Sequence, residues 1–298
     1  MQSTMCQPHD EQAVLNYLDW QKLYRTEKPF QLFSVVGGGH LPDQRTTNLV
    51  FKEGGVETIH DVRGTESQYS LNKQGFTFRT YPTRVHNFGV RDEVENVYLL
   101  EMEELLRREV EGIDQVYFFD WRIRKNVELT GKTAIDANDK MQYLLPAKHV
   151  HIDQTPSAVL GRMRLHLPQQ ADFLLQGRVR VINIWRPIID VVEDQPLTFC
   201  DARTVEPSDL VEADHVRKHY NGSNFYAKPS HRYRWHYLNR QRKDEVTLLK
   251  MFDSDPEVEA KYCLHTSFTH HVIPEDSKPR ESIEVRALVF TYDENDES

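Results

Sequence analysis

The tripeptide His151-Ile152-Asp153 has residue types and spacing that suit a metal ion. Side chains alternate along an extended strand, so residues two apart face the same way. His151 and Asp153 then offer an imidazole nitrogen and a carboxylate oxygen to one side. Val150 and Ile152 turn into the sheet packing. One more histidine makes two nitrogens and one oxygen on a single face of a metal. That donor set leaves positions open and suits non-haem Fe(II) chemistry with O2. An H-x-D tripeptide alone is a weak signal, and a hydrogen-bonded surface pair is its plain alternative.

The third ligand must come from elsewhere among the 14 histidines. His265 lies on a strand-like run shortly before an arginine-rich segment and is the choice made here. His270 and His271 compete with it. His270 has the opposite parity. His271 shares the parity of His265 but lies towards Pro274, where a strand should be ending, and the pair reads more simply as an exposed loop. An aspartate at 153 fills a coordination position that halide-delivering enzymes keep open. It therefore favours oxygen-atom transfer or hydrogen abstraction.

The segment Arg280-Glu-Ser-Ile-Glu-Val-Arg286 splits by parity. Arg280, Ser282, Glu284 and Arg286 share one face, and Ile283, Val285, Ala287 and Val289 share the other. Two arginines and a hydroxyl on a cavity-facing strand could hold a carboxylate in a bidentate fashion. A keto acid such as 2-oxoglutarate needs such a partner for its distal carboxylate. The alternative is a solvent-facing edge strand carrying an Arg/Glu/Arg ladder.

These residues need strands to position them. Strand-like runs cover Val116–Arg124, Lys148–Gln154, Arg178–Trp185, Leu197–Cys200, Glu245–Phe252, Lys261–Thr269 and Ser282–Thr291. Gln68–Phe78 reads as a strand pair around a turn at Asn72–Gly75, and residues 31–90, which mix Gly runs at 37–39 and 54–55 with short apolar runs, read as strands and turns. The clearest helix spans 91–111, where Val94, Val97, Tyr98, Met102, Leu105 and Leu106 recur at helical spacing. Further helices are expected around Glu11–Leu23 and Ser208–Val216. Many short strands in the second half imply a mainly β barrel or double-sheet jelly roll with flanking helices. One catalytic domain spans 1–298, with residues 1–45 as an N-terminal extension packed on the core.

The bulk composition fits this reading. The chain has 298 residues, 39% hydrophobic and 10% aromatic, enough for a sizeable core. Its formal charge of −9 disfavours nucleic acid and anionic membranes as partners. Cys6, Cys200 and Cys263 are an odd, scattered set, which argues against a disulfide framework or a cysteine-rich zinc site. No signal sequence or membrane span is visible, so the expected location is cytoplasmic.

Several runs together resemble one family. They are His151-Ile-Asp-Gln-Thr-Pro156, Asn183-Ile-Trp-Arg-Pro187, Cys200-Asp-Ala-Arg203 and Arg280-Glu-Ser-Ile-Glu-Val-Arg286. Asp61-Val-Arg-Gly64 and the helix around Glu101–Leu106 add to them, and the likeness covers roughly residues 45–292. The chain resembles fungal iron/2-oxoglutarate oxygenases of the hydroxylase/desaturase family. That resemblance implies a double-stranded β-helix (jelly roll), with Fe(II), 2-oxoglutarate and O2. His151, Asp153 and His265 would be the iron ligands. Arg280 would hold the distal carboxylate, with Ser282 and Arg286 in support. Asn183, Trp185 and Arg186 would line the pocket or brace the iron shell, unless Trp185 is a core aromatic. Tyr233, Trp235 and Tyr237 would form a lid, a wall or an interface.

The expected reaction is oxidation of an unactivated C–H in an apolar small molecule such as a terpenoid or polyketide, in secondary metabolism. Hydroxylation, desaturation and endoperoxidation all remain open. The competing reading is a non-catalytic jelly-roll accessory subunit of a heterodimeric oxygenase. A homodimer, or a heterodimer with a paralogue, is the expected assembly.

Overall fold

A computed structural model describes residues 9–33, 45–128, 139–217 and 221–292. The Gly run at 37–39 and Cys6 lie outside the described residues. In chain order the first strands are β1 (Glu11–Leu18), β2 (Phe30–Leu32), β3 (Phe51–Asp61), β4 (Phe76–Thr80), β5 (Gln115–Lys125), β6 (His151–Ile152) and β7 (Arg178–Pro187). They are followed by β8 (Leu197–Cys200), β9 (Leu210–Val216), β10 (Asn221–Ala227), β11 (Trp235–Tyr237), β12 (Glu245–Asp253), β13 (His265–Ser267) and β14 (Glu281–Thr291). One sheet has nine strands in the order β1-β3-β11-β8-β13-β6-β10-β9-β2, and the other has five in the order β4-β12-β7-β14-β5. The two curl against each other as a jelly roll.

The larger core lies between the sheets. Tyr17, Ile59, Phe199 and Trp235 come from the nine-stranded sheet, and Val181, Trp185, Leu249 and Leu288 from the five-stranded one. A second core lies behind the five-stranded sheet. There Ile283, Val285, Ala287 and Val289 of β14 pack with Val94, Tyr98, Met102, Leu105 and Leu106 of the helical segment. The apolar parity of β14 thus faces the helix, and its polar parity faces the interior. Burial keeps both faces from water, so the segment is no solvent-facing ladder.

The helix expected at 91–111 is present as Arg91–Glu93, a π-turn Val94–Tyr98 and Leu99–Glu109. Three other expectations need correction. Glu11–Leu23 is not a helix, because Glu11–Leu18 is strand β1 and Lys22–Arg25 is a single 3-10 turn. Ala13, Leu15 and Tyr17 are buried while Gln12 and Val14 are exposed, which is a period of two. Ser208–Val216 is a 3-10 turn, Pro207–Asp209, that runs straight into strand β9. Gln68–Phe78 forms no strand pair, since the Ser70 carbonyl accepts from the amides of Lys73, Gln74 and Gly75 and closes a compact turn before β4. Gly75 has φ +89, and a Cβ there would meet the Tyr262 carbonyl at 2.9 Å. Gly54 and Gly55 lie inside strand β3.

The helix Pro156–His166 has no counterpart among the sequence expectations. Thr155 caps it, accepting from the Ala158 amide, and Pro156 occupies its first turn. Leu160 and Leu165 are 39% and 50% exposed, so its apolar residues form no single stripe.

Candidate metal and cosubstrate site

His151 and His265 meet by strand pairing. β13 runs antiparallel to β6 with His265 directly opposite His151. Their rings lie 4.3 Å apart between centroids. Asp153 follows β6 immediately, and its Oδ1 stands 3.2 Å from His151 Nε2. One ligand atom from each of His151, Asp153 and His265 lies within 4.8 Å of the others.

Backbone carbonyls set the histidine orientations. His151 Nδ1 lies 2.7 Å from the His149 carbonyl, and His265 Nδ1 lies 3.2 Å from the Cys263 carbonyl. In each case the partner is two residues back along the chain, just before the strand. A ring whose Nδ1–H donates to a carbonyl keeps its lone pair on Nε2, which is the orientation a metal ligand needs. Burial and repulsion from His151 push the His265 imidazolium down to about 3, so the ring is neutral at physiological pH.

Asp153 is held as firmly. Its Oδ2 accepts from Asn183 Nδ2 at 2.7 Å and from Arg286 Nε at 3.1 Å. One carboxylate oxygen is thereby engaged, and the other faces the histidines. Burial alone would raise the Asp153 carboxyl, but the Arg286 charge and the His151 hydrogen bond outweigh it and hold it well below the usual range. Two imidazole nitrogens and one carboxylate oxygen, oriented in this way, fit a non-haem Fe(II) ion.

The two arginines of the segment 280–286 differ. Arg286 donates to Asp153, to Asp120 Oδ2 at 3.0 Å and to Glu284 Oε1 at 2.5 Å. Its side chain is already committed to three carboxylates. Arg280 is fully buried, with Nη1 donating to the Gln195 carbonyl at 2.8 Å and its guanidinium 5.8 Å from the Trp185 ring centroid. Its Nε and Nη2, and the buried Ser282 Oγ, have no hydrogen-bond partner among the described residues. Burial, then repulsion from Arg124, pushes Arg280 down to about 9. Buried donors without partners are costly, and an anionic ligand would satisfy them.

Other sequence candidates fall elsewhere. Asn183 braces Asp153, as described. Trp185 belongs to the inter-sheet core and lies beside Arg280. Arg186 points the other way, into the helix-side core, and donates to Tyr98 Oη, the Lys243 carbonyl and the Tyr81 carbonyl. Tyr233, Trp235 and Tyr237 are 4%, 1% and 0% exposed inside the core, so they form neither lid nor interface. His270 is no exposed loop residue, since it is buried with Nδ1 3.1 Å from Glu11 Oε1. Cys200 and Cys263 are buried free thiols.

Residues that the sequence reading passed over also face this region. Asp120, Arg122 and Arg124 of β5 stand opposite Arg286, Glu284 and Ser282 of β14. Their alternation with Trp121 and Ile123 was the available signal. Arg162 and Arg217 come from elements whose pattern gave no such sign.

Comparisons with known proteins agree with this geometry. A family model described as "Oxidoreductase/YMDC permease-like domain" matches residues 15–290. The Fe(II)/2-oxoglutarate-dependent dioxygenase nvfI of Aspergillus novofumigatus is 34% identical over 239 residues, covering 78% of this chain and 82% of that protein. The hydroxylase/desaturase efuI of Hormonema carpetanum is 34% identical over 258 residues, covering 80% and 84%. The solved structure of the iron and alpha-ketoglutarate-dependent endoperoxidase NvfI superposes with a TM-score of 0.80 at 29% identity, covering 96% of this chain and 99% of that one. The chain belongs to the fungal Fe(II)/2-oxoglutarate-dependent oxygenases of the hydroxylase/desaturase family.

Proposed function

We propose that this chain oxidises an unactivated C–H of a largely apolar small molecule, such as a terpenoid or polyketide, in secondary metabolism. His151, Asp153 and His265 hold Fe(II). Arg280 and Ser282 hold the distal carboxylate of 2-oxoglutarate. The carrying observation is the convergence of three ligand atoms, each fixed by its own partner: His149, Cys263, and the Asn183–Arg286 pair. An accessory subunit without catalysis would have no need of that bracing.

Bound iron with 2-oxoglutarate and O2 supplies the oxidising power. The protein supplies orientation. The carbonyls of residues 149 and 263 keep both Nε2 atoms directed at one point. Arg286 and Asn183 fix the Asp153 carboxylate and keep it ionised. Arg286 is thus a positioning residue, and Arg280 a binding residue. The core between the sheets keeps water from the deep end, where Trp185 lies beside Arg280. Hydroxylation, desaturation and endoperoxidation differ in where the substrate radical lies, and small displacements there change reactivity strongly.

No helix among the described residues is long and apolar enough to cross a membrane. We place the enzyme in the cytoplasm, as one catalytic unit acting as a homodimer or with a paralogue.

The test is an anaerobic Fe(II) titration with and without 2-oxoglutarate, with His151→Ala as control. The expected result is one iron per chain and a weak visible charge-transfer band that requires 2-oxoglutarate and vanishes in the variant. Iron binding without the band would overturn the roles of Arg280 and Ser282. No iron binding would overturn the ligand set.

A further inference from the structure

The His151–Asp153 end of the site opens into a cavity of about 420 Å³ between β5 and β14 on one side and β6, β9 and β10 on the other. Phe33, Leu144 and Tyr226 give it apolar wall. Two primary amides, Gln154 and Asn224, also line it. They flank Asp153. Gln154 follows it in the chain. The pairing of β10 with β6 sets Tyr226 opposite His151 and Phe225 opposite Ile152, so Asn224 comes next, beside Asp153. The Thr155 amide donates to the Ser223 carbonyl at 3.2 Å, which carries the pairing past that point.

Both amides are buried, Gln154 at 8% exposure and Asn224 at 3%. Gln154 Oε1 and Asn224 Oδ1 have no hydrogen-bond partner among the described residues. The Asn224 side chain makes a hydrogen bond to the Tyr226 phenol that favours the ionised phenol, so the amide nitrogen is the donor. That contact fixes which way the amide lies and leaves its oxygen unmet. A buried acceptor without a donor is costly, and a ligand that brings a donor removes the cost. A cationic donor does not suit this cavity, because five arginines line it against two aspartates and like charges disfavour one another. A carboxylate or a ketone brings no donor at all. A hydroxyl is neutral, donates one hydrogen bond and sits readily on an apolar skeleton.

We propose that the substrate is an alcohol, an apolar skeleton whose hydroxyl donates to the amide oxygens of Gln154 and Asn224 in the cavity beside Asp153. The proposal rests on the oxygenase reading above and narrows its substrate class. The anchored hydroxyl sets which C–H stands next to the metal triad, so the two amides determine specificity.

The test is equilibrium dialysis of matched probes against the full chain, anaerobic and loaded with Fe(II) and saturating 2-oxoglutarate. The pairs are 1-naphthol with 1-fluoronaphthalene, and 1-adamantanol with 1-fluoroadamantane. Alcohol and fluoride are close in shape, and only the alcohol donates. At least one alcohol should bind about tenfold tighter than its fluoride. At least one of Gln154→Met and Asn224→Leu should bring that ratio to within about twofold of unity, with Fe(II) and 2-oxoglutarate affinities also kept within about twofold. The urea midpoint of the ligand-free Gln154→Met chain should be unchanged or higher, since an unmet polar group is gone. Three results would overturn the proposal. One is no preference for the alcohol in either pair, absence of binding included. Another is a preference that survives in both variants. The third is a lower urea midpoint for Gln154→Met, which would make that amide a structural group. All three leave the oxygenase reading standing. A wild-type chain that binds no 2-oxoglutarate removes that reading and this proposal together.

Discussion

Two fully buried arginines lie on opposite sides of the five-stranded sheet. Arg186 faces the helix, and each of its guanidinium nitrogens donates to Tyr98, Lys243 or Tyr81. Arg280 faces the interior, where one nitrogen donates to Gln195 and two have no partner among the described residues. Burial is the same, and satisfaction is not. A protein that only needed stability would treat both alike, because an unmet buried donor costs roughly 1–3 kcal/mol. The difference marks Arg186 as a brace between sheet and helix, and it supports the role proposed for Arg280 in holding a ligand. The same contrast extends to Asp153 and the histidines, whose partners orient them towards a common point, with Asp153 Oδ1 3.2 Å from His151 Nε2.

The sharpest way to break this comparison is to remove a ligand. Asp153→Ala should lower Fe(II) affinity by about 100-fold or more, since outer partners alone are worth 10–100-fold. Anaerobic titration reads this directly. Retained iron binding would mean that the interior polar groups are structural after all. The arginines themselves come next. Arg280→Met should cost about 100-fold in 2-oxoglutarate affinity while leaving stability unchanged or higher, because it removes an unsatisfied buried charge. Arg186→Met should do the reverse and lower unfolding stability by about 3 kcal/mol, through two stranded carbonyls and a tyrosine hydroxyl. Urea unfolding and cosubstrate binding on both variants form a two-by-two test, and a swap of the two phenotypes would sink the assignment. Asn183→Ala touches only the orientation of Asp153. About a tenfold loss of iron affinity is expected, with the fold intact.

How much of this was legible in the sequence depends on the length of the periodic signal. The parity of Arg280 to Val289 runs over ten residues, and it separated the interior-facing side from the helix-facing side correctly. The helix at 91–111 was equally plain. His151-x-Asp153 was legible as a motif, yet its strand is only His151–Ile152. What orients its histidine is a carbonyl two residues back, which no composition encodes. Glu11–Leu18 misled because its inward set, Glu11, Ala13, Leu15 and Tyr17, includes a carboxylate that pairs with distant His270. The π-turn, the helix with scattered leucines and the basic cavity wall depend on contacts between segments far apart in sequence.

A separate effect on the whole fold should come from acid. Burial, then the His151 charge, pushes His265 down to about 3. Burial, then Arg217, pushes His215 down to about 4, and burial, then His60, pushes His236 down to about 4. In the unfolded chain each would titrate near 6.5. The unfolded state therefore binds more protons below pH 6.5, and stability falls as the pH drops through that window towards 4. Above pH 7.5 these three groups contribute no slope. Between pH 7.5 and 6.0 the metal-free chain should lose roughly 2 kcal/mol, read from urea midpoints with an unchanged m-value. His236 stands two strands from His265, with Phe199 of β8 between them, and is not one of the three ligand residues, so His236→Phe should remove about a third of that slope without changing iron affinity. If the loss persists undiminished in that variant, the acid sensitivity belongs to the His151–His265 side of the molecule. If iron affinity falls with it, the site and the rest of the nine-stranded sheet are coupled more tightly than their separate hydrogen-bond partners imply.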